Sequence, residues 1–90
     1  GLFCMNDVFA VGALKAMDEL QIAVPQRIKI VGYDASEILA AVRPPVTTIV
    51  QPVNEIGRLA VNLLLQMMDG GKLFQKDYTL PVTLLKRGST

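Results

Sequence analysis

Hydrophobic and polar positions along this chain fall into blocks whose period changes from one block to the next. Leu2 to Met5 is a short apolar run without alternation, the pattern of a strand covered on both faces. Asn6-Asp7 stops it, with Asp7 a good N-cap, and Val8 to Leu20 read as a helix. Phe9, Ala13, Ala16, Met17 and Leu20 form one stripe at helical spacing. Val8 and Val11 lie off that stripe, so the first turns are apolar nearly all round. A helix packed only on its own sheet does not need this, and a second burial surface, such as another subunit, is implied.

After the polar break Val24 to Arg27, "IKIVGYD" predicts a second strand from Ile28. Ser36 to Val42 offers a capping serine and two helical turns. Pro44-Pro45 forbids helix, and the β-branched run Val46 to Val50 predicts a third strand. Gln51-Pro52 ends it, with Pro52 suited to the start of a helix over Val53 to about Asp69. In that helix Asn54, Glu55, Arg58, Asn62, Gln66 and Asp69 make a polar stripe. Ile56, Leu59, Ala60, Leu63, Leu64, Met67 and Met68 make a broad apolar face, with the Met pair as core filler. Gly70-Gly71 reads as a left-handed cap, and a loop through Lys72 leads to a last strand, Tyr78 to Lys86, interrupted by Pro81. Strands alternating with helices predict an α/β fold with parallel pairing.

Composition narrows the chemistry. At 90 residues, 51% apolar and 19% charged, the chain is at most one domain with material for a packed core. A net charge of +1, with basic residues scattered, leaves no electrostatic footprint for nucleic acid or a membrane surface. No apolar run approaches the about 18 residues that span a bilayer. The single cysteine, Cys4, sits in an apolar run and reads as a small buried hydrophobe. With no histidine, this chain supplies neither a Ser-His or Cys-His pair nor a His-ligated metal. It also lacks a phosphate loop, a G-x-S-x-G elbow and any nucleophile beside a base, so no enzyme is expected.

The candidate chemistry lies at strand ends. In open parallel sheets, ligands sit beyond the carboxyl ends of the strands. Two predicted strands end there in polar residues, one in Asn6-Asp7 and the other in Tyr33-Asp34. An aspartate accepts several hydrogen bonds and an asparagine both donates and accepts, a pairing suited to a hydroxyl-rich ligand. Tyr33 would add an apolar wall or a hydroxyl. On spacing alone, Asp34 in "GYD" is equally a turn residue, and Gly32 serves equally to relieve packing.

"FCMNDVFAVGALKAMDEL", "VPQRIKIVGYD", "RPPVTTIVQP", "IGRLAVNLLLQMMDGG" and "LPVTLLKRGST", in this order and covering Leu2 to Thr90, resemble the closing portion of the lactose-repressor and galactose-repressor family of bacterial transcription regulators. The resemblance implies a periplasmic-binding-protein-like (type I) fold of two α/β lobes around an effector, of which this chain is a C-terminal part. Residues 1–50 would belong to the C-terminal lobe, 51–83 would supply a helix and strand of the N-terminal lobe, and 84–90 would cross back. Gln51-Pro52 and the segment near Leu84 would be hinge strands.

By the same resemblance, Asn6 and Asp34 stand at positions that commonly bind effector hydroxyls, and Gln51 stands at the hinge near the ligand. Ala35 departs from the pattern, since many relatives carry a second acid there. The helix after "ND", with Val8 and Val11, and the segment from Ile38 through Val42 to Val46 would contribute to a dimer interface. The implied function is sugar or nucleoside sensing and homodimerisation in a cytoplasmic regulator, without a cofactor, a metal or a membrane. Operator DNA would be met only through an N-terminal domain outside this chain. The alternative is a periplasmic sugar-binding protein of a transporter with the same fold. Strands parted from their neighbours expose edges, so association or further chain is expected for stability.

Overall fold

The computed structural model describes residues 1–73 and 75–90, and within them the chain forms two compact units. The first comprises Gly1–Gln51 and Thr83–Thr90, the second Pro52–Val82. In the first unit, β1 (Leu2–Phe3), β2 (Ile30–Tyr33), β3 (Thr47–Val50) and β4 (Thr83–Leu85) make one sheet in that order. The first three strands are parallel, with Phe3 opposite Val31 and Val31 opposite Thr47. β4 runs antiparallel to β3, with Ile49 opposite Leu84. The expected α/β architecture is present. Parallel neighbours need a crossover, and α1 (Asp7–Glu19) supplies the one between β1 and β2.

The core lies on one face of this sheet, where Cys4, Ala10, Leu14, Ile30, Leu39 and Val46 pack together. Burial along β2 follows the pleat: Ile30 and Gly32 are buried, while Val31 and Tyr33 are half-buried. Cys4 behaves as the expected small hydrophobe, and its burial pushes the thiol pKa up. Leu39, from the single turn α2 (Ile38–Ala41), completes this layer, and Arg43 Nη1 donates to the Ala40, Ala41 and Val42 carbonyls behind it. The Ser36 cap expected for this helix is not formed: Glu37 takes the N-cap position and Ser36 donates elsewhere.

The buried row of α1 differs from the expected stripe. Asp7, Ala10 and Leu14 are buried and Met17 is half-buried, whereas Phe9 and Leu20 are exposed. A Cβ built on Gly32 would lie 3.4 Å from the Ala10 Cβ, so helix and strand meet where both side chains are smallest. That contact, rather than the largest apolar residues, sets the rotation of the helix. Val46 also needs correction. It is 0% exposed in the core, and its amide donates to the Leu39 carbonyl at 2.9 Å, so it presents no surface to a partner.

The amino ends of β2 and β3 are closed by the chain's last residues. Ser89 Oγ donates to the Ile30 carbonyl at 2.5 Å and accepts from the Thr47 amide at 2.9 Å. The backbone of Ser89 adds bonds from the Ile30 amide to its carbonyl and from its own amide to the Pro45 carbonyl. Thr47 Oγ1 accepts from the Arg87 amide at 2.8 Å and lies 2.7 Å from Thr90 Oγ1. Ser89, Thr47 and Thr48 are thus buried polar residues with every described side-chain atom partnered.

In the second unit, α3 (Val53–Met68) follows Pro52 and ends as expected, with Gly70 at φ +77° and the Gly71 amide bonded to the Gln66 carbonyl. None of its side chains is buried, although Leu59 and Leu63 of the anticipated apolar face are half-buried. Met67 and Met68, read as core filler, are exposed here, since the residues described in this unit form no second layer over them. The loop expected between Lys72 and Tyr78 includes Phe74, which lies outside the described residues. The last strand starts only at Thr83, since Pro81 has no N–H to give a ladder. Among the described residues, no helix is long and apolar enough to cross a membrane.

Replacing Ser89 by alanine leaves the buried Thr47 amide and Ile30 carbonyl each short of a partner. The expected cost is about 1–3 kcal/mol of stability, read as a lower urea midpoint. An unchanged midpoint would show that the serine hydroxyl does not tie the strand ends together.

Candidate functional site

Each of the three parallel strands hands over to a loop at the carboxyl edge of the sheet, and β1 and β2 are neighbours there. Asn6 follows β1 and Asp34 follows β2, so topology brings both to the same edge. Tyr33 is the last residue of β2, and Gln51 directly follows β3.

Asn6, not Asp7, caps α1. Its backbone is extended and Oδ1 accepts from the Phe9 amide at 2.9 Å. Asn and Asp are near-equal caps, so sequence could not choose between adjacent ones; the helix begins one residue earlier than expected and passes the role to Asn6. With Oδ1 engaged, Asn6 Nδ2 remains without a partner among the described residues and is the group it can offer a ligand.

Asp34 is exposed and has φ +105°, a left-handed conformation rare for a residue with a side chain. Ala35 follows at φ +61°. Three consecutive amides hold this turn. The Asp34 amide donates to the Ile49 carbonyl at 3.0 Å, the Ala35 amide to Thr48 Oγ1 at 3.3 Å, and the Ser36 amide to Asp7 Oδ2 at 2.5 Å. So fixed, the Asp34 carboxylate meets Gln51, whose Nε2 donates to Oδ1 at 2.6 Å. Asp34 Oδ2 has no partner among the described residues. A carboxylate with a free oxygen beside a side-chain amide can take hydroxyl donors and return donors to hydroxyl oxygens.

Tyr33 is half-buried with its ring edge-on to Phe3, centroids 6.4 Å apart. The structure therefore joins Asp34 directly to Gln51, seats Tyr33 in the adjoining chain position, and brings Asn6 to the same edge by topology alone. A groove lined by Val11, Leu14, Lys15, Asp18, Val42 and Arg43 contains none of the four. Among the described residues, no group of three or more His, Cys, Asp or Glu is placed to hold a metal ion.

Sequence reasoning missed the residues beneath the site. Asp7 is 3% exposed and collects the Ser36 amide, the Ser36 hydroxyl at 2.7 Å and the Thr48 hydroxyl at 3.1 Å. Gly32 makes room for it: an added Cβ would come within 2.8 Å of Asp7 Oδ1 and 2.9 Å of Leu39 Cδ1. Relief of packing is thus the role of this glycine. No periodicity marks an aspartate that is buried by partners from two other segments.

Comparison with known proteins agrees with this architecture. A sequence model of the periplasmic binding protein-like domain matches residues 1–90. The ribose operon repressor of Escherichia coli (strain K12) is 39% identical over 88 residues, covering 98% of this chain and 27% of that protein. Among solved structures, a periplasmic binding protein/LacI transcriptional regulator from Alkaliphilus metalliredigens QYMF, complexed with D-xylulofuranose, superposes with a TM-score of 0.86. It is 31% identical, over 98% of this chain and 33% of its own. The lac repressor dimer bound to operator and the anti-inducer ONPF gives a TM-score of 0.87 at 38% identity, over 98% of this chain and 30% of its own. The chain thus spans roughly a quarter to a third of the proteins it matches. It belongs to the periplasmic binding protein-like domain family, and its sequence and fold match a segment of the lactose-repressor-type transcriptional regulators within that family.

Proposed function

We propose that this chain is the sugar- or nucleoside-sensing and dimerising part of a bacterial transcriptional regulator. The observation that carries the reading is Asp34: an exposed carboxylate, held in a left-handed turn at the carboxyl edge of a parallel sheet and already hydrogen-bonded to Gln51. Such strain in a residue with a side chain persists only where surrounding bonds over-determine it, and it gathers at ligand sites. Asp34 accepts effector hydroxyls, Gln51 donates and accepts beside it, Asn6 contributes its free Nδ2, and Tyr33 walls the site. The names and bound sugars of the relatives support a sugar as the ligand class. Those relatives are repressors, which favours a regulator over a transport protein of the same fold.

In this reading the whole protein is a cytoplasmic homodimer and not an enzyme. It binds operator DNA through an N-terminal domain outside this chain and uses no cofactor. Effector binding changes DNA affinity because the ligand grips one conformation of the sensing domain more tightly than another. Gln51 carries that grip to the chain connection, since the residue after it opens the second unit. The dimer surface is formed by Val8, Val11, Ile38 and Val42. Val8 and Ile38 are well exposed, and Val11 and Val42 are half-buried against the core.

Thermal-shift screening of the intact regulator against pentoses, hexoses, disaccharides and nucleosides should find a stabilising compound. No stabilisation by any of them would remove the sensing assignment. With the compound so found, Asp34→Ala should weaken binding by about 1.5–3 kcal/mol, as expected for hydrogen bonds to a charged group. Calorimetry giving the unaltered affinity would take Asp34 out of the site. Val8, at 77% exposure, tests the dimer without disturbing the core. Val8→Asp should shift the sedimentation equilibrium toward monomer, and a variant that stays fully dimeric would exclude this helix from the interface.

A further inference from the structure

We propose that Asp7 is the positioning residue for Asp34: its buried carboxylate shapes the turn that aims the effector-binding side chain. The proposal rests on the assignment of Asp34 as an effector contact, and its first test is independent of that assignment. Asp7 never reaches the ligand edge itself. It acts through two routes that converge on the residues just after Asp34. Asp7 Oδ2 takes both the amide and the hydroxyl of Ser36. Asp7 Oδ1 takes the hydroxyl of Thr48, whose Oγ1 in turn accepts the Ala35 amide.

The backbone at Asp34 and Ala35 has φ of +105° and +61°, values that side chains disfavour. Left to itself the turn would relax to negative φ and swing the Asp34 carboxylate away from Gln51. Of the three amides that oppose this, the Asp34 amide is held by the Ile49 carbonyl, and those of Ala35 and Ser36 both lead to Asp7. An amide side chain at position 7 would present Nδ2 to one of these donors and break one route. The carboxylate is needed because every group facing it is a donor: one N–H and two hydroxyls. Its seat in the first turn of α1 adds the favourable helix-end field.

The test uses the intact regulator with Asp7→Asn, Thr48→Val, Ser36→Ala and Ser36→Thr. Amide exchange is followed at Ala35 and Ser36, with Ile30 and Val46 as reporters of the core. Asp7→Asn and Thr48→Val should speed exchange at one or both turn amides by about tenfold relative to the core reporters, as local opening does. Ser36→Thr, which keeps the hydroxyl, should hold protection that Ser36→Ala loses. Exchange at the turn that rises only in step with Ile30 and Val46 would reduce Asp7 to a general stabiliser and overturn the proposal. Thr48→Val keeps the shape of the buried residue, so it answers the question even if Asp7→Asn fails to fold.

The second arm is titration with D-ribose, D-xylulose, cellobiose and adenosine. Asp7→Asn should lower the affinity of whichever binds by about tenfold, yet change nothing further in an Asp34→Ala background. An equal loss in both backgrounds would show that Asp7 does not act through Asp34. If none of the four binds the unaltered protein, the sensing assignment is weakened for these ligands, while the exchange result still decides what Asp7 does to the turn.

Discussion

The burial of one carboxylate organises the upper half of the sheet unit. Asp7 sits in the first turn of α1, out of water, and among the described residues its oxygens are satisfied only by Ser36 and Thr48. Removing an ion from water without such partners costs several kcal/mol, so the helix start, the turn after β2 and the second residue of β3 must be in register together. Gly32 is part of the same constraint. Its missing Cβ leaves the space through which Asp7 Oδ1 and Leu39 approach the strand. With the turn held from below, Asp34 can adopt a backbone conformation that its own side chain disfavours, and its carboxylate is presented at the edge rather than folded inward.

The lower edge of the same sheet is sealed by different means. Ser89 bridges the starts of β2 and β3 with both its hydroxyl and its backbone, and Thr47 ties Arg87 and Thr90 beside it. Hydroxyls and backbone groups do most of this, and the Arg87 guanidinium adds a bond from Nη1 to the Val46 carbonyl at 3.1 Å. The two ends therefore differ in kind. One is closed by mutually satisfied bonds; the other keeps a carboxylate oxygen and an asparagine amide unpartnered among the described residues. In a parallel sheet the carboxyl edge is the one where loops and helix starts converge on a ligand, and the distribution of satisfied and open groups follows that asymmetry.

Much of the architecture was legible because each element carries its own period. Unbroken β-branched or apolar runs announced β2 and β3, the 3.6-residue pattern announced α1 and α3, and Gly70 and the prolines punctuated them. Legibility failed where the deciding contact comes from elsewhere in the chain. Asn6 and Asp7 are both sound caps, and the roles they take depend on donors at Ser36 and Thr48. Phe9 outranks Ala10 in hydrophobicity, yet Ala10 faces the sheet because Gly32 lets the two backbones close in. Val46, which the resemblance implied at a dimer interface, lies in the core and bonds through its amide to the Leu39 carbonyl.

The order of elements, the polar residues at the strand ends and the likeness to repressors all lie in the linear chain, since local spacing and residue type are enough to specify them. The bond between Asp34 and Gln51, the burial of Asp7 against Ser36 and Thr48, and the sealing of the strand starts by Ser89 arose only on folding. Each joins groups far apart in sequence, and a hydrogen bond is set by distance and direction in space, for which no pattern along one strand or helix provides a record.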